Sequence, residues 1–304
     1  MSPRRPPPHH LIDASPSIFA AWYALPDLRA PDGRPVSATI GFAFSLIRHL
    51  GEHRPTSVAL AFDESLNTCF RNDVYPDYKS ERGEPDAELV MQLEDCREVA
   101  ECLGLSTHAH PRYEADDLIG TLAHRLAARG DDVLVVSVDK DLAQLVGPRV
   151  TMLDTRREEQ LDEAGVVGRF GVSPRQIPDL LGLAGDPVDG IPGVAGIGRK
   201  TAVALLEHFA DLDEVYAKLD DVSSLPLRGA AGVARKLAEG RDLAFLSREL
   251  ATIVRDAPVR ADPRRLRWRG LRAKRLDALC ERLGAPRVAQ RAHAVLGADG
   301  MAGA

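Results

Sequence analysis

Four short runs dense in Val, Ile, Leu and Ala, spaced by stretches of helical periodicity, restrict this chain more than anything else in it. The runs are HHLIDAS (9–15), TSVALAFDE (56–64), DVLVVSVDKD (132–141) and VTMLD (150–154). Each is apolar enough for a strand buried on both faces. Between them, residues 87–105 place Leu89, Val90, Leu93, Cys96, Val99, Ala100 and Leu103 at helical spacing. Residues 115–126 repeat the pattern with Leu118, Ile119, Leu122 and Leu126. Strand and helix in alternation predict an α/β fold with a mostly parallel sheet and right-handed crossovers. After about residue 170 the strand signal stops. GVAGIGRKTAVALLEHF (193–209), LDEVYAKL (212–219) and VARKLAEGRDLAFLSREL (233–250) predict a small helical domain. The expected division is therefore 1–175 and 176–290, with the Gly/Ala-rich residues 291–304 as a frayed tail.

The length of 304 residues suits one large domain or two ordinary ones. With 44% apolar and 28% charged residues, composition excludes disordered and fibrous classes. No run approaches eighteen apolar residues, so no membrane span is expected. The segment before Asp13 has no apolar core of signal-peptide length. Cys69, Cys96, Cys102 and Cys280 form no CxxC and read as reduced thiols, which suits a cytoplasmic protein. The net charge of −6 is unevenly spread. Residues 1–175 hold 19 Lys and Arg against 28 Asp and Glu, net −9, while residues 176–304 hold 20 against 17, net +3. Two parts with different tasks are implied.

The acids fall at places where an open parallel sheet binds ligands, the C-terminal ends of its strands. Asp13 and Asp63 end the first two runs, and Asp139 with Asp141 ends the third. Tyr113-Glu114-Ala115-Asp116-Asp117 precedes a helix, and Asp186 and Asp189 stand three apart beside a turn. Taken singly, each acid is a turn former, a helix cap or an answer to a helix dipole. Taken together, mutually close carboxylates stay ionised only with cations beside them. An all-oxygen set with no His or Cys cluster suits Mg²⁺ or Mn²⁺ rather than zinc. Two such ions roughly 3.5–4 Å apart would clamp the attacking and leaving oxygens of an in-line phosphoryl displacement.

LIDAS, FRNDVYPDYKSER, YEADD, VDKD and GDPVDGIPGVAGIGRKTA, in this order and spacing from about Leu11 to Leu283, resemble the 5′ nuclease family. That family comprises the N-terminal nuclease domain of bacterial DNA polymerase I, the phage flap endonucleases and their free-standing relatives. The resemblance implies a PIN-like catalytic domain and a helical helix–three-turn–helix domain. It assigns divalent metal to Asp13, Asp63, Glu114, Asp116 and Asp117 as one site and to Asp139, Asp141, Asp186 and Asp189 as another, two or more ions per chain, with Asp139 serving both. It implies a helical arch around 66–86, with Lys79 and Arg82 on the scissile phosphate and Tyr78 stacking on a base. Two positions depart from the family pattern. Gly190 replaces an Asn in the GDxxD turn, and Ala20 replaces an Arg seven residues after the first Asp.

Residues 70–82 interleave aromatics with cations. Read as a ligand surface, Tyr75 and Tyr78 stack on unpaired bases while Arg71, Lys79 and Arg82 hold phosphates; read otherwise, the stretch is a solvated loop. Gly193, Gly196 and Gly198 precede Arg199, Lys200 and Thr201. A P-loop needs Lys directly after the second Gly of G-x4-G, and here Arg199 stands there with no strand before it. What remains is a glycine hairpin opening a helix, able to hold a backbone phosphate on N–H groups. The resemblance makes it a duplex grip, with K⁺ on loop carbonyls. Residues 260–275 carry eight cations and Asp262 as their one acid, and read as a solvated basic face with Trp268 packing inward, an accessory contact to a nucleic-acid backbone being the alternative. His108 and His110 have no partner pair nearby and read as loop histidines.

The function expected on these grounds is a metal-dependent 5′–3′ exonuclease and 5′-flap endonuclease acting on branched or 5′-tailed DNA, including RNA–DNA primer junctions, in replication and repair. It would act as a monomer, nucleoid-associated when on DNA, and hand nicks to a separate polymerase and ligase. Two rivals differ in class: a PIN-like ribonuclease, and a structure-specific DNA-binding protein with weakened catalysis.

Overall fold

A computed structural model of the chain describes residues 6–64, 68–83 and 86–297, the Arg82 side chain excepted. The strands are β1 (His9–Asp13), β2 (Val58–Asp63), β3 (Ser106–His110), β4 (Val133–Val136), β5 (Val150–Asp154) and β6 (Glu159–Leu161). The helices begin with α1 (Ser15–Ala24), α2 (Ser37–His53), α3 (Phe70–Val74), α4 (Ala87–Cys102) and α5 (Ala115–Ala128). Next come α6 (Glu163–Phe170), α7 (Ile177–Ala184), α8 (Arg199–His208), α9 (Leu212–Ala217) and α10 (Leu219–Val222). The last are α11 (Ala230–Glu239), α12 (Arg241–Ala251), α13 (Pro263–Leu266), α14 (Ala273–Arg282) and α15 (Pro286–Leu296).

These elements sort into two units that interleave along the sequence. The described residues within Met1–Leu66, Glu84–Val138 and Arg255–Ala304 form the first, and those within Asn67–Gly83 and Asp139–Val254 the second. The consecutive division at 175 read from sequence differs from this. Residues 255–296 return to the first unit, and 139–170 fold with the helices that follow them.

In the first unit β3, β2, β1 and β4 lie side by side, every neighbouring pair parallel. Asp13 pairs with Ala61 and Asp63 with His110, so the strand ends share one edge. The apolar runs are buried on both faces: α5 packs along the strands, and Phe42 of α2 meets Phe62 of β2 edge to face at 5.9 Å. Helix α2 in turn packs on α1, α4 and α15. His108 and His110 belong to strand β3, not to a loop as the sequence suggested. All five β3 residues are half-buried, so no apolar alternation marked the strand. The expected tail at 291–304 is also corrected. Helix α15 runs to Leu296 with Val288, Ala292 and Leu296 buried, and residues 298–304 lie outside the described set.

In the second unit β5 and β6 form an antiparallel pair, Met152 opposite Leu161. The third predicted strand ends at Val136, and Lys140–Leu145 winds into a 3-10 helix whose N-cap is Asp139. Helix α7 packs on α8 and α12. Arg248 ties this packing by reaching Asp179 (3.3 Å) and Asp213 (2.5 Å). The helical pattern read over 233–250 is divided at Gly240 between α11 and α12. Of the expected arch, the described residues show one short helix, α3, and a single 3-10 turn at Ser80–Arg82.

Candidate functional site

The first unit gathers its acids at the C-terminal edge of β1 and β2. Ser15 links two of them: its N–H donates to Asp13 Oδ1 (3.2 Å) and its hydroxyl to Asp63 Oδ2 (2.6 Å). Asp13 Oδ2 also accepts from Ser137 Oγ (2.8 Å), and Asp63 Oδ1 from the Ala115 N–H at the start of α5 (2.8 Å). Glu114 is the N-cap of α5 and forms a reciprocal capping box with Asp117, whose Oδ2 accepts the Glu114 N–H at 3.1 Å. Asp117 is fully buried, Glu114 nearly so, and Asp116 half-buried. Hydroxyls and helix-start amides thus hold these carboxylates in place, a use of the helix dipole as well as of the caps.

The second unit holds a tighter set. Oxygens of Asp141, Asp186 and Asp189 all lie within 4.8 Å of one another, the one such trio among the described residues. Asp139 joins them through its Oδ1, which caps the Asp141 N–H at 2.9 Å. Burial, then the charge of Asp139, pushes the Asp141 carboxyl up to about 8. Burial and Asp189 push Asp139 up as well. Asp141 Oδ1 is buried with no hydrogen-bond donor. The nearest cation is Lys140, whose Nζ stands 3.8 Å from that oxygen and 2.5 Å from Asp186 Oδ2. Burial alone would depress the Lys140 ammonium, but Asp141 and Asp186 outweigh it and hold it above the usual lysine value. An all-oxygen trio with an unsatisfied buried lone pair fits a hard divalent cation.

Lys79 stands beside this set. Its backbone is left-handed (φ 56°), its N–H donates to the Asp189 carbonyl (3.0 Å), and its ammonium lies 3.8 Å from Asp189 Oδ2. Gly190 is the family departure with a visible cause here. At φ +67° an added Cβ would lie 2.9 Å from the Asp77 carbonyl and 3.3 Å from the Lys79 N–H, so the chain bearing Lys79 approaches where a side chain would stand. Ala20 is exposed on α1.

Two sequence expectations are corrected. Tyr78 is 4% exposed and Arg71 3%, so neither is presented to a nucleotide. Arg71 donates Nε–H to the Leu250 carbonyl (2.8 Å) and an Nη2–H to that of Thr252 (2.9 Å), and stacks on Phe70. The Tyr78 ring carries Lys79 at 5.0 Å. The pairing of aromatics with cations is internal. Tyr75 is half-buried, and the Arg82 side chain lies outside the described residues.

The glycine hairpin forms as expected. Gly193 and Gly196 have positive φ, and Gly198 is the N-cap of α8 with no side chain closing it. The Gly193 N–H donates to Ser247 Oγ (2.9 Å), and Lys236 Nζ to the Gly196 carbonyl (3.1 Å). Lys200 is exposed and Thr201 half-buried, while Arg199 leans on the Phe170 ring and the carbonyls of Arg169 and Phe170. Sequence reasoning missed Ser15, Ser137, Lys140 and Ser247. The first and third sit inside the quoted LIDAS and VDKD, where adjacency to the acids was the available signal.

The family profile described as "5'-3' exonuclease, N-terminal resolvase-like domain" matches residues 8–171, and "5'-3' exonuclease, C-terminal SAM fold" matches 172–274. A 5'-3' exonuclease of Buchnera aphidicola is 32% identical over 250 residues, covering 82% of this chain and 87% of that protein. DNA polymerase I of Pseudomonas aeruginosa is 41% identical over 247 residues, covering 81% of this chain. The chain spans 27% of that polymerase's length. Among solved structures, the flap endonuclease of bacteriophage T5 in a pseudo-enzyme-product complex with DNA and metal ions superposes with a TM-score of 0.66 at 16% identity, over 94% of this chain and 98% of that one. This likeness is one of fold.

Proposed function

The chain belongs to the 5′-3′ exonuclease family, and from that premise we propose that it is a divalent-metal-dependent 5′ nuclease. Its substrates in this reading are branched or 5′-tailed DNA and RNA–DNA primer junctions, cut exonucleolytically and at flaps during primer removal and repair. The observation that carries the reading is the buried, donorless Oδ1 of Asp141 within an all-oxygen trio. Asp13, Asp63, Glu114, Asp116 and Asp117 in the first unit and Asp139, Asp141, Asp186 and Asp189 in the second would hold Mg²⁺ or Mn²⁺, two or more per chain. A cation bound there supplies Lewis-acid charge to a phosphoryl oxygen and lowers the pKa of water.

The chain's own residues position and neutralise. Lys79, fixed by its bond to the Asp189 carbonyl, offers an ammonium to the charge that builds on the phosphoryl oxygens. Arg82 is assigned the same phosphate by the family pattern. The open N-terminus of α8 with Lys200 and Thr201 grips a duplex phosphate without reading sequence, and the family pattern adds K⁺ at the hairpin, where Lys236 now holds the Gly196 carbonyl. No side-chain base is required. In this reading the two acidic sets cut and the glycine hairpin holds the duplex, the protein works in the cytoplasm as a monomer, and nicks pass to a separate polymerase and ligase.

The test is a gel assay on a 5′-flap DNA and an RNA of equal length, with Mg²⁺ or with chelator. Cleavage of the flap DNA only with Mg²⁺, lost in Asp141→Asn, is the expected result. Preferential cleavage of the RNA would favour a PIN-like ribonuclease, and binding without cleavage a catalytically weakened DNA-binding protein.

A further inference from the structure

The basic stretch at 260–275 belongs to the first unit and is built, not loose. All eight of its cations are exposed. Arg265 reaches Asp262 (3.9 Å) and Arg275 reaches Glu101 (3.2 Å). Among the described residues, Arg260, Arg264, Arg267, Arg269, Arg272 and Lys274 have no carboxylate within ion-pair distance. The backbone beneath them is tied down at almost every step. Arg267 bridges to Ser57, and the Trp268 N–H donates to the Thr56 carbonyl (2.9 Å). The Arg269 N–H donates to Gly104 (3.2 Å) and that of Arg272 to Cys102 (2.8 Å). The Trp268 indole turns inward, its Nε1–H on the Leu103 carbonyl at 2.7 Å. Leu266 is buried as well, so side chains alternate: apolar in, guanidinium out.

The strap lies flush because glycine faces glycine. Gly104 has φ +79°, and a Cβ there would lie 2.0 Å from the Gly270 carbonyl; Gly270 itself has φ +74°. A solvated face needs none of this. Arg267 and Arg269, two apart on the extended backbone after α13, stand about 6.6–6.8 Å from each other. That is roughly twice the 3.4 Å axial charge spacing of one DNA strand. Like charges fixed at such spacing repel unless a polyanion lies across them.

We propose that this arginine strap is a duplex-backbone contact, binding phosphates independently of sequence and additional to the glycine hairpin of the other unit. The proposal rests on the nucleic-acid reading above. It predicts that affinity and salt dependence both fall when the strap is neutralised, since each phosphate contact releases counterions.

The experiment measures fluorescence anisotropy of a 5′-tailed duplex with chelator present, over a series of KCl concentrations. It compares the parent with Arg264→Gln/Arg267→Gln/Arg269→Gln/Arg272→Gln and with the corresponding four-Lys variant. These side chains are exposed and unpaired, and thermal melts matching the parent certify the fold. The Gln variant is expected to bind roughly tenfold or more weakly, its log–log salt slope shallower by about 0.9 per lost contact, while the Lys variant keeps the slope. Unchanged affinity and slope in the Gln variant would overturn the strap. So would Arg-dependent binding to phosphatidylserine vesicles with DNA binding intact. A parent that binds no duplex at all overturns the nucleic-acid reading itself, and the two failures are thereby told apart.

Discussion

Arg71 is held by two main-chain carbonyls and an aromatic face, and its loss would remove a donor from each of those carbonyls. Arg71→Ala is expected to cost about 2–3 kcal/mol, read as a lower urea midpoint with unchanged slope. Lys140 poses the opposite case. Its ammonium already sits among the oxygens that would take a divalent ion. Lys140→Met is therefore expected to bind Mn²⁺ several-fold more tightly by calorimetry while the metal-free protein melts lower; equal or weaker binding would remove Lys140 from competition with the metal. Asp13, Asp63, Asp139 and Asp141 were legible because a strand end or its following turn is a place the sequence announces. Arg71 and Tyr78 were misread because alternating rings and cations look alike whether they stack on a base or on each other. Their burial is a tertiary fact that no local spacing encodes.

Among the elements, the contact between Gly104 and Gly270 leaves no room for a side chain. Gly104→Ala is expected to cost about 2 kcal/mol or more, because the added methyl meets backbone, not a movable side chain, at a positive φ. A thermal melt checks it, and a variant as stable as the parent would show that the strap can lift without loss. Helices α1 and α2 escaped the sequence reading for a related reason. Gly41 and Gly51 interrupt the helical pattern of α2, yet a Cβ at Gly41 would lie 2.4 Å from Ala21 and one at Gly51 2.3 Å from Val295. Those glycines mark close helix packing, which reads locally as helix breaking. The glycine hairpin was legible because three glycines beside cations have few other uses.

At the scale of the molecule, pH acts through two buried imidazoles, His10 and His49. His10 Nδ1 lies 2.9 Å from His49 Nε2, and the rings of His10 and His49 lie 5.8 and 4.6 Å from that of His53. Burial, then His53, pushes His10 down to about 4; burial, then His10, pushes His49 down to about 3. Both are lowered on folding, so below about pH 6.5 the unfolded chain binds protons that the fold refuses. Stability is present above that pH and falls as pH drops toward 4 and then 3. Urea midpoints across this window test it, and a flat profile would show that the imidazoles charge without penalty. The α/β class and the late helical part were readable from periodicity. The interleaving of units was not, because it depends on which distant segments pack together. That interleaving has a consequence for synthesis on the ribosome. The uninterrupted stretch 139–254 emerges whole before α14 and α15, which pack on each other and against α4 and α2 of the earlier unit. Helices α2 and α4, made first, must therefore wait, partly uncovered, for the helices made last. A nascent chain stalled near residue 255 should be a better target for chaperones and proteases than the finished one.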